Sequence, residues 1–405
     1  MSPLEKAREF DAADPLAKYR ERFHQPEAVI YLDGNSLGAL PKATPSAMAR
    51  AVEQEWGDGL IRSWNDAGWF EMGSRVGAKI APLIGAQSHE VIACDTVSAN
   101  LFKLIAAALE MRPGRKVILS EPGNFPTDVY MIQGLERQGL AERRLAPRAD
   151  LLDALDQDVA LLMLTHAHYK SGELFDMQAL TKAAHEAGAL VLWDLSHSTG
   201  AMPVDLNGVN ADFATGCGYK YLCGGPGAPA FAFVAERHLA ELKQPLTGWF
   251  GHARPFAFSD DYEAAPGIEQ LQCGTSPVLG LTALEVGVDL IAEIGVGRLY
   301  AKSQALSAFF LECVEPLNLD LVSPLQSNAR GSQLSFRHPQ AYAICQAMIA
   351  RGVIGDFRDP DILRLGFAPA YLRFEDMAEA ARHLAEVLDT GEWQEDRFSQ
   401  RAAVT

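Results

Sequence analysis

A lone lysine in an uncharged, glycine-rich stretch is the most informative chemical feature of this sequence. Lys220 lies in TGCGYKYLCGGPGAP, residues 215–229, where it is the only charged residue and has a tyrosine on each side. Lysine side chains normally keep their ammonium group in water at the protein surface. The residues around this lysine instead indicate a buried strand and a tight turn. An amine shielded from water in this way is suited to nucleophilic chemistry with a carbonyl group.

Further polar residues follow the apolar stretches VALLMLTH and ALVLWDLS, at the points where these predicted strands end. In open parallel sheets, ligands bind at the carboxyl ends of the strands. Three such strand ends would direct a hydroxyl group, a carboxylate with an imidazole, and a phenol with an amine into one crevice. The residues concerned are Thr165, His166 and His168 on the first strand, Asp194, Ser196 and His197 on the second, and Tyr219 and Lys220 on the third.

This set of side chains suits pyridoxal phosphate. The cofactor needs a lysine for its covalent imine and an acidic residue that keeps the pyridine nitrogen protonated, so that the ring accepts electrons. Lys220 and Asp194 supply these two groups. A phosphate site is predicted in ACDTVSANLFKLIAAAL, where a short strand enters a helix that is capped near Ser98. Free N–H groups at such a helix start bind phosphate well.

Each of these residues also has a purely structural interpretation. A lysine chosen at random is a surface residue. Aspartate is common in the turns that follow strands, so Asp194 taken alone fits a structural role and a catalytic role equally well. The same holds for His197 as a structural histidine. His166 and His168 resemble a metal-binding pair, but the sequence shows no third ligand, so no metal site is predicted.

The overall composition restricts the possible partners. The 405 residues carry 52 acidic and 35 basic side chains, a formal charge of −17, which disfavours nucleic acid and anionic membranes. The six cysteines form no CxxC pair, which favours reduced thiols over disulfides or a zinc site. The sequence shows no signal-peptide pattern and no apolar run of membrane-spanning length. We therefore expect a cytoplasmic protein.

The pattern along the chain predicts an α/β fold. From about residue 90 to 235, short β-rich stretches alternate with amphipathic helical patterns, which is typical of a mixed, mostly parallel sheet with helices on both faces. A compact α+β pattern follows and predicts a separate, smaller domain. We assign residues 46–290 to the large domain, and residues 1–45 together with 291–405 to the small domain.

Seven short motifs, in order over about residues 10–390, carry a family resemblance. They are YLDGNSLG, GLIRSW, NFPTD, WDLSHSTGAMPVDL, YKYLCGGPG, GWFGH and LRLGFAP. Together they resemble kynureninase, a pyridoxal phosphate enzyme with the aspartate aminotransferase fold. The resemblance implies hydrolysis of the Cβ–Cγ bond of L-kynurenine, or of its 3-hydroxy form, to L-alanine and anthranilate or 3-hydroxyanthranilate in tryptophan catabolism. It also implies a homodimer with the active site at the subunit interface.

The resemblance implies roles for individual residues. Lys220 would carry the cofactor as a Schiff base, Tyr219 would contact its phosphate and relay protons, and Asp194 would pair with the pyridine nitrogen. Trp249 and Thr275 would reach the phosphate of the partner subunit's cofactor. Other cofactor contacts would come from Val97, Ser98, Phe125, Pro126, Thr127, Asp128, Thr165 and His197, and substrate contacts from Arg364, which would bind the α-carboxylate, and from Asn35, Ser36 and Trp64.

Two alternative functions stay open. The same cofactor residues would serve a class V aminotransferase, a cysteine desulfurase or a selenocysteine lyase; the last two use a reactive cysteine, for which Cys273 is the best candidate. A non-catalytic binding protein or a dinucleotide-binding domain is the second alternative, since a fold alone does not define a function. No GxGxxG motif follows the early strands, which disfavours the dinucleotide-binding domain.

Overall fold

The computed structural model describes residues 1–401, and the strands within this range form three sheets. In chain order the strands are Ile30–Tyr31 (β1), Val91–Ala93 (β2), Val117–Ser120 (β3), Glu142–Leu145 (β4), Val159–Thr165 (β5), Leu190–Asp194 (β6), Phe213–Gly216 (β7), Phe231–Val234 (β8), Asp320–Leu321 (β9), Gln333–Arg337 (β10), Val353–Ile354 (β11), Asp356–Arg358 (β12) and Ile362–Gly366 (β13).

Helices account for much of the remaining chain. The α-helices are Pro3–Ala12 (α1), Thr44–Arg50 (α2), Ser63–Asp66 (α3), Met72–Ile80 (α4), Val97–Glu110 (α5), Pro126–Arg137 (α6), Met177–Glu186 (α7), Glu236–Leu239 (α8), Val278–Ile294 (α9), Val296–Val314 (α10), Ala341–Ala350 (α11), Phe374–Thr390 (α12) and Asp396–Ser399 (α13). No helix in residues 1–401 is both long enough and apolar enough to cross a membrane.

The largest sheet has seven strands in the order β2-β8-β7-β6-β5-β3-β4. The pairs from β4 to β7 are parallel, whereas β8 runs antiparallel to both of its neighbours. This arrangement confirms the predicted mixed, mostly parallel sheet. The carboxyl ends of β5, β6 and β7 lie side by side, because Thr165 pairs with Asp194 and Asp194 pairs with Thr215.

Helices cover both faces of this sheet, as the apolar strands require. Alternate side chains of a strand point to opposite faces, and β5 shows this directly. Leu161 and Met163 belong to a core cluster that contains residues of α5 and α6, whereas Leu162 and Leu164 belong to a second cluster with residues of α4, α7 and α9. Full burial of each such side chain contributes about 1.5–3 kcal/mol. Packing against the helices on both faces therefore holds the ends of these strands in position.

The carboxyl-terminal part of the chain forms a four-stranded antiparallel sheet in the order β12-β13-β10-β9. The amino-terminal segment packs with this part: β1 pairs in parallel with β11, Ile30 opposite Val353. The ring of Phe10 on α1 lies 5.1 Å from that of Phe374 on α12 and 5.6 Å from that of Phe309 on α10. These contacts join the two ends of the chain; the division into two domains stays a prediction.

One local feature differs from the sequence interpretation, and another was not predicted. The cap of α5 is Thr96, not Ser98: the Thr96 hydroxyl accepts from the backbone N–H of Ala99 at 3.3 Å. Ser98 lies inside the first turn because Thr96 has the extended backbone that a cap requires. The segment Ala51–Gly59 forms a π-helix, which has no simple sequence signal.

A buried carboxylate joins the opposite, amino-terminal ends of the strands. Asp212, just before β7, accepts hydrogen bonds from His185 Nε2 and Val191 N at 2.8 Å each. Arg237 Nη2 and His238 Nε2 each donate to its other oxygen at 2.7 Å. Burial by itself raises the pKa of Asp212, but these hydrogen bonds overcome it and lower the pKa below its usual value.

We predict that Asp212→Asn lowers the free energy of unfolding at neutral pH by roughly 3 kcal/mol, because Arg237 loses its buried ionic partner and the carboxylate that also bonds His185 and His238 is removed. Since the folded-state pKa is lowered, this stabilisation is present above the unfolded-state pKa of about 3.9 and is lost as the pH falls below it. Urea unfolding at a series of pH values measures the difference. Exposed Asp153→Asn is the control. An equal loss at pH 3 and pH 7 would contradict the prediction.

Candidate active site

A cavity of about 280 Å³ lies at the carboxyl ends of β5, β6 and β7. The structure brings polar residues from all three strand ends to its wall, but His166 and His168, which were also expected there, are not among the lining residues. Besides Phe125 and Tyr169, the lining includes Thr165, Asp194, Ser196, His197, Tyr219 and Lys220. Side chains that the sequence separates by more than 50 positions therefore face one space.

Lys220 lies in the turn after β7, and the side chain is buried. The backbone there is tightly packed: a Cβ atom on Gly218 would lie 2.3 Å from the backbone oxygen of Pro229, and one on Gly38 would lie 2.2 Å from that of Lys220. These two glycines allow the close approach of the chains that supports the lysine.

The amine of Lys220 has one hydrogen-bond partner among the described residues, the Nε2 atom of His197 at 3.0 Å. Burial, followed by the charges of Lys220, Arg364 and Arg358, lowers the pKa of His197 well below its usual value. The imidazole is therefore neutral, and its Nε2 atom lies within hydrogen-bond distance of the Lys220 amine. The other ring nitrogen, Nδ1, is buried without a hydrogen-bond partner in residues 1–401.

Asp194, at the end of β6, is a buried acid held in a fixed orientation. The backbone N–H and the hydroxyl group of Ser196 donate to its Oδ1 atom at 2.8 and 2.6 Å. Burial raises the pKa of Asp194, although the bonds from Ser196 and the charge of Lys220 act in the opposite direction. A cationic group beside this carboxyl would offset the cost of its desolvation and keep it ionised.

A second buried acid, Asp128, lies beside the first. Burial, and then the charge of Asp194, raise the pKa of Asp128 well above its usual value, so this carboxyl is protonated. The hydroxyl of Thr165 lies 3.0 Å from Asp128 Oδ2 and 2.5 Å from Asn124 Oδ1. A hydroxyl has one hydrogen. Thr165 therefore donates to Asn124, and the protonated Asp128 supplies the hydrogen of the other contact.

The start of α5 forms one end of the cavity. Thr96, Val97 and Ser98 line it, together with Thr127 from α6. The backbone N–H groups of the first helical residues have no partner within a helix, and the helix dipole adds positive potential. This end of the cavity thus offers N–H and hydroxyl donors suited to an anion such as a phosphate group.

Three of the four predicted substrate residues, Arg364, Asn35 and Ser36, lie together behind Tyr169, which lines the cavity. Arg364 on β13 is fully buried, and its Nη1 atom donates to the backbone oxygen of Tyr169 at 2.6 Å. Its Nη2 atom donates to the Ser36 hydroxyl at 2.9 Å. With its amide oxygen turned toward the guanidinium, Asn35 accepts from Nε at 2.9 Å and from Nη2 at 3.1 Å.

Other predicted residues lie farther from the cavity. Trp249, which is 43% exposed, and the exposed Thr275 are not among its lining residues. Trp64 packs in an aromatic cluster, with its ring 5.7 Å from that of Trp69 and 5.6 Å from that of Phe250. Pro126 occupies the first position of α6, where it fixes the helix start beside Phe125.

Several site residues were missed from the sequence. Tyr169 and Cys217 line the cavity, and Asn124 joins Thr165 to the backbone N–H of Phe125 at 2.7 Å. Asp356 binds the guanidinium of Arg364. Cys217 and Tyr169 follow strand ends, so a search of every residue within four positions of a strand end would have found them. Asp356 has no such signal, because its role depends on the neighbouring strand.

Solved structures of similar shape define the class of fold. A cysteine desulfurase from Thermococcus onnurineus NA1 matches with a TM-score of 0.81 at 18% identity, over 92% of this chain and 98% of that chain. A cysteine desulfurase from Escherichia coli gives 0.79 at 18% identity, over 93% and 98%. A lyase variant with glycine linked to its pyridoxal phosphate cofactor gives 0.78 at 17% identity, over 90% and 98%. This chain therefore has the same fold as these three proteins.

Sequence comparison then defines the family. The family model for the kynureninase C-terminal domain matches residues 299–384. A kynureninase from Burkholderia mallei (strain SAVP1) is 50% identical over 416 residues, covering all of both chains. A kynureninase from Pseudomonas fluorescens is 48% identical over 406 residues, covering 98% of each. The chain belongs to the kynureninase family, and the resemblance seen in the sequence motifs is confirmed.

We predict that Thr165→Val destabilises the protein by about 1–3 kcal/mol, because Asn124 Oδ1 loses a donor and the buried Asp128 loses its acceptor. The measurement is urea unfolding of the purified protein. Thr282→Val is the matched control: this buried threonine bonds only the backbone oxygen of Val278 in its own helix, at 2.9 Å. Equal losses in the two variants would show that the Asn124–Thr165–Asp128 contacts add nothing specific.

Proposed function

We propose that this chain binds pyridoxal phosphate in the cavity at the ends of β5, β6 and β7 and hydrolyses the Cβ–Cγ bond of L-kynurenine or its 3-hydroxy form. One observation carries the proposal: a buried lysine amine faces the same cavity as a buried carboxyl group and a helix start. The products are L-alanine and an aminobenzoate, which is anthranilate or 3-hydroxyanthranilate. The name shared by relatives at 48–50% identity supports the choice of substrate.

The residues at the cavity fit the cofactor group by group. Lys220 would hold it covalently, Asp194 would pair with the ring nitrogen, and the donors at Val97 and Ser98 would bind the phosphate. Phe125 would cover the ring face, with Pro126 and Thr127 fixing its loop. The unpaired Nδ1 atom of His197 supports a polar ligand here, because buried polar groups normally have a partner. The cofactor supplies an electron sink for carbanion chemistry at the substrate.

The chain's own groups would move the protons. Once its amine is released from the cofactor, Lys220 would take the proton from Cα of the substrate. His197, the side chain in contact with this amine, is neutral and therefore adds no second positive charge beside it. Burial, and then the Cys217 thiol, raise the pKa of the Tyr219 hydroxyl. Tyr219 thus keeps its proton at neutral pH and is the donor we assign to Cβ after bond cleavage.

The substrate would bind between the cavity and the carboxyl-terminal sheet. Arg364 would bind the α-carboxylate through its guanidinium, with Asn35 and Ser36 at the same group. Arg364 belongs to the small domain that we propose, residues 1–45 and 291–405. The active site would then lie between this domain and the large one, residues 46–290. Trp64 would lie toward the aromatic ring of the substrate.

We also propose a homodimer in which each subunit completes the other's site. Trp249 and Thr275 are exposed in one chain and stand away from its own cavity. Phe256 and Phe258, close to Trp249, are 65% and 82% exposed, which is unusual for phenylalanine in a free monomer. A second copy of the chain would cover this aromatic surface and receive Trp249 and Thr275 at its phosphate site.

The cysteines disfavour the desulfurase alternative. Burial raises the pKa of the Cys217 thiol, which lines the cavity, so it stays protonated at neutral pH and is a poor nucleophile. Burial and then Asp95 likewise raise the pKa of Cys273, whose sulfur lies 3.4 Å from the Asp95 carboxylate. Neither residue has the lowered pKa that a sulfur-accepting cysteine needs.

The first test is Lys220→Ala. We expect conversion of L-kynurenine to anthranilate and alanine, without a keto-acid acceptor, to fall by roughly three orders of magnitude, because both the covalent link and the base are lost. Product formation is followed by anthranilate fluorescence and amino-acid analysis. The variant should also lose the visible absorbance of the bound cofactor.

Lys243→Ala is the control, since Lys243 is exposed and remote from the cavity. It should retain wild-type activity and absorbance. A Lys220 variant that stays yellow and active would refute the assignment. Production of alanine only when a keto acid is added would point to an aminotransferase.

The second test mixes two inactive variants, Lys220→Ala and Trp249→Ala, by joint unfolding and refolding. If Trp249 acts across the interface, each mixed dimer contains one site with both residues intact. Activity should then return to about a quarter of the wild-type value, because half of the dimers are mixed and each has one working site.

The two variants refolded separately are the controls and should stay inactive. If Trp249 instead serves its own chain, no mixed dimer contains an intact site, and activity stays at background. Such a result would refute the shared site even if sedimentation shows a dimer.

A further inference from the structure

A buried carboxylate lies between two arginines at the proposed carboxylate site. Asp356 on β12 and Arg364 on β13 are directly opposite in the antiparallel register, and both side chains are 1% exposed. Arg358, two residues along β12, lies on the same side of the strand and is partly exposed. Nothing in the proposed chemistry so far uses Asp356.

The contacts of Asp356 fix one edge of the guanidinium of Arg364. The Nε atom of Arg364 donates to Asp356 Oδ1 at 2.8 Å, and its Nη2 atom donates to Oδ2. This paired contact fixes the plane of the guanidinium as well as its position. Ser36 donates to Asp356 Oδ2 at 2.9 Å and so joins the same arrangement.

The remaining donors of Arg364 are directed elsewhere. A guanidinium has five N–H groups. Asp356 takes two, and the backbone oxygen of Tyr169 takes one from Nη1. At Nη2 the hydroxyl of Ser36 and the turned amide oxygen of Asn35, both uncharged, accept the other N–H, and Asn35 also lies at Nε beside Asp356. The second N–H of Nη1 and these neutral contacts at Nη2 are left for a ligand. Nη1 and Nη2 are adjacent nitrogens, and a pair of N–H groups on them suits the two oxygens of a carboxylate.

The net charge of the cluster around Arg364 also suits the binding of one carboxylate. Arg358 Nη2 donates to Asp356 Oδ2 at 2.6 Å, so a single carboxylate neutralises only one of two cations. Asp33 is the other acid nearby; burial, and then the charge of Asp356, raise its pKa to about 7. When Asp33 is protonated, the cluster has one uncompensated positive charge beside Tyr169, which lines the cavity.

We propose that Asp356 is a positioning residue for the substrate α-carboxylate: it holds the Nε and Nη2 edge of Arg364, so that the opposite edge binds the carboxylate. The proposal rests on the proposed function, because it takes Arg364 as the group that binds the substrate. Without Asp356 the guanidinium rotates about its last bonds, and the paired contact with a ligand loses its fixed geometry.

The test uses the holoenzyme of Asp356→Asn. L-Alanine, which has an α-carboxylate, and kynurenamine, which lacks one, are titrated against the cofactor absorbance band. We expect affinity for alanine to fall about tenfold, affinity for kynurenamine to stay unchanged, and KM for kynurenine to rise about tenfold with a much smaller change in kcat. Asp320→Asn is the matched control, since Asp320 pairs with Arg337 in the same sheet but is exposed.

A second variant controls for the destabilisation that an unbalanced charge in this cluster could cause. Asp356→Asn combined with Arg358→Gln removes one charge of each sign, so the cluster keeps its net charge while Arg364 loses its anchor. We expect this double variant to melt close to the wild type and still bind alanine about tenfold more weakly.

The possible outcomes distinguish the positioning role of Asp356 from the proposed function. Wild-type alanine affinity in either variant, or tighter binding in Asp356→Asn, overturns the positioning role; tighter binding would mean that Asp356 competes with the ligand. A wild-type cofactor band that does not respond to alanine, or Arg364→Ala binding alanine normally, refutes the proposed function itself.

Discussion

The constraint on which the site depends is the burial of an amine at the ends of three apolar strands. β5, β6 and β7 are covered on both faces, and Thr165, Asp194 and Lys220, at or just after their carboxyl ends, face one shared cavity. Lys220 cannot turn away into solvent from there. Within residues 1–401, the hydrogen-bond partner of its buried amine is His197. The helices that cover the sheet thus determine which groups face the cavity at the carboxyl ends of its strands.

Burial also decides which groups around the cavity carry charge. It makes Asp128 a neutral acid and His197 a neutral base, while Ser196 and Lys220 favour the ionised form of Asp194. Each of these groups would otherwise compete with its neighbours for protons and ion pairs. Tyr169 connects this centre to the arginines behind it, since its backbone oxygen accepts from Arg364. The site is therefore one polar network with a ring-binding end and a carboxylate-binding end.

Five strands of the large sheet, β3 and β5 to β8, were predictable because each is a buried, mostly apolar run of four to seven residues that contrasts with the helical patterns beside it. Asp194 and Lys220 were predictable because they follow such strands. β4 was not, since its sequence ERRL is polar and it forms an edge of the sheet. The cap of α5 was misplaced by two residues, from Thr96 to Ser98, because both residues have a hydroxyl suited to a cap.

The sequence by itself determined the α/β class, the kynureninase family and the strand-end residues, because apolar periodicity and short motifs are local properties of the chain. Only the tertiary structure decided that Asp356 faces Arg364, that Asp128 lies beside Asp194, and that Tyr169 separates the two groups of charges. These contacts join residues far apart in the chain. Their geometry and pKa values follow from strand register and burial, and neither property is encoded in the spacing of any one motif.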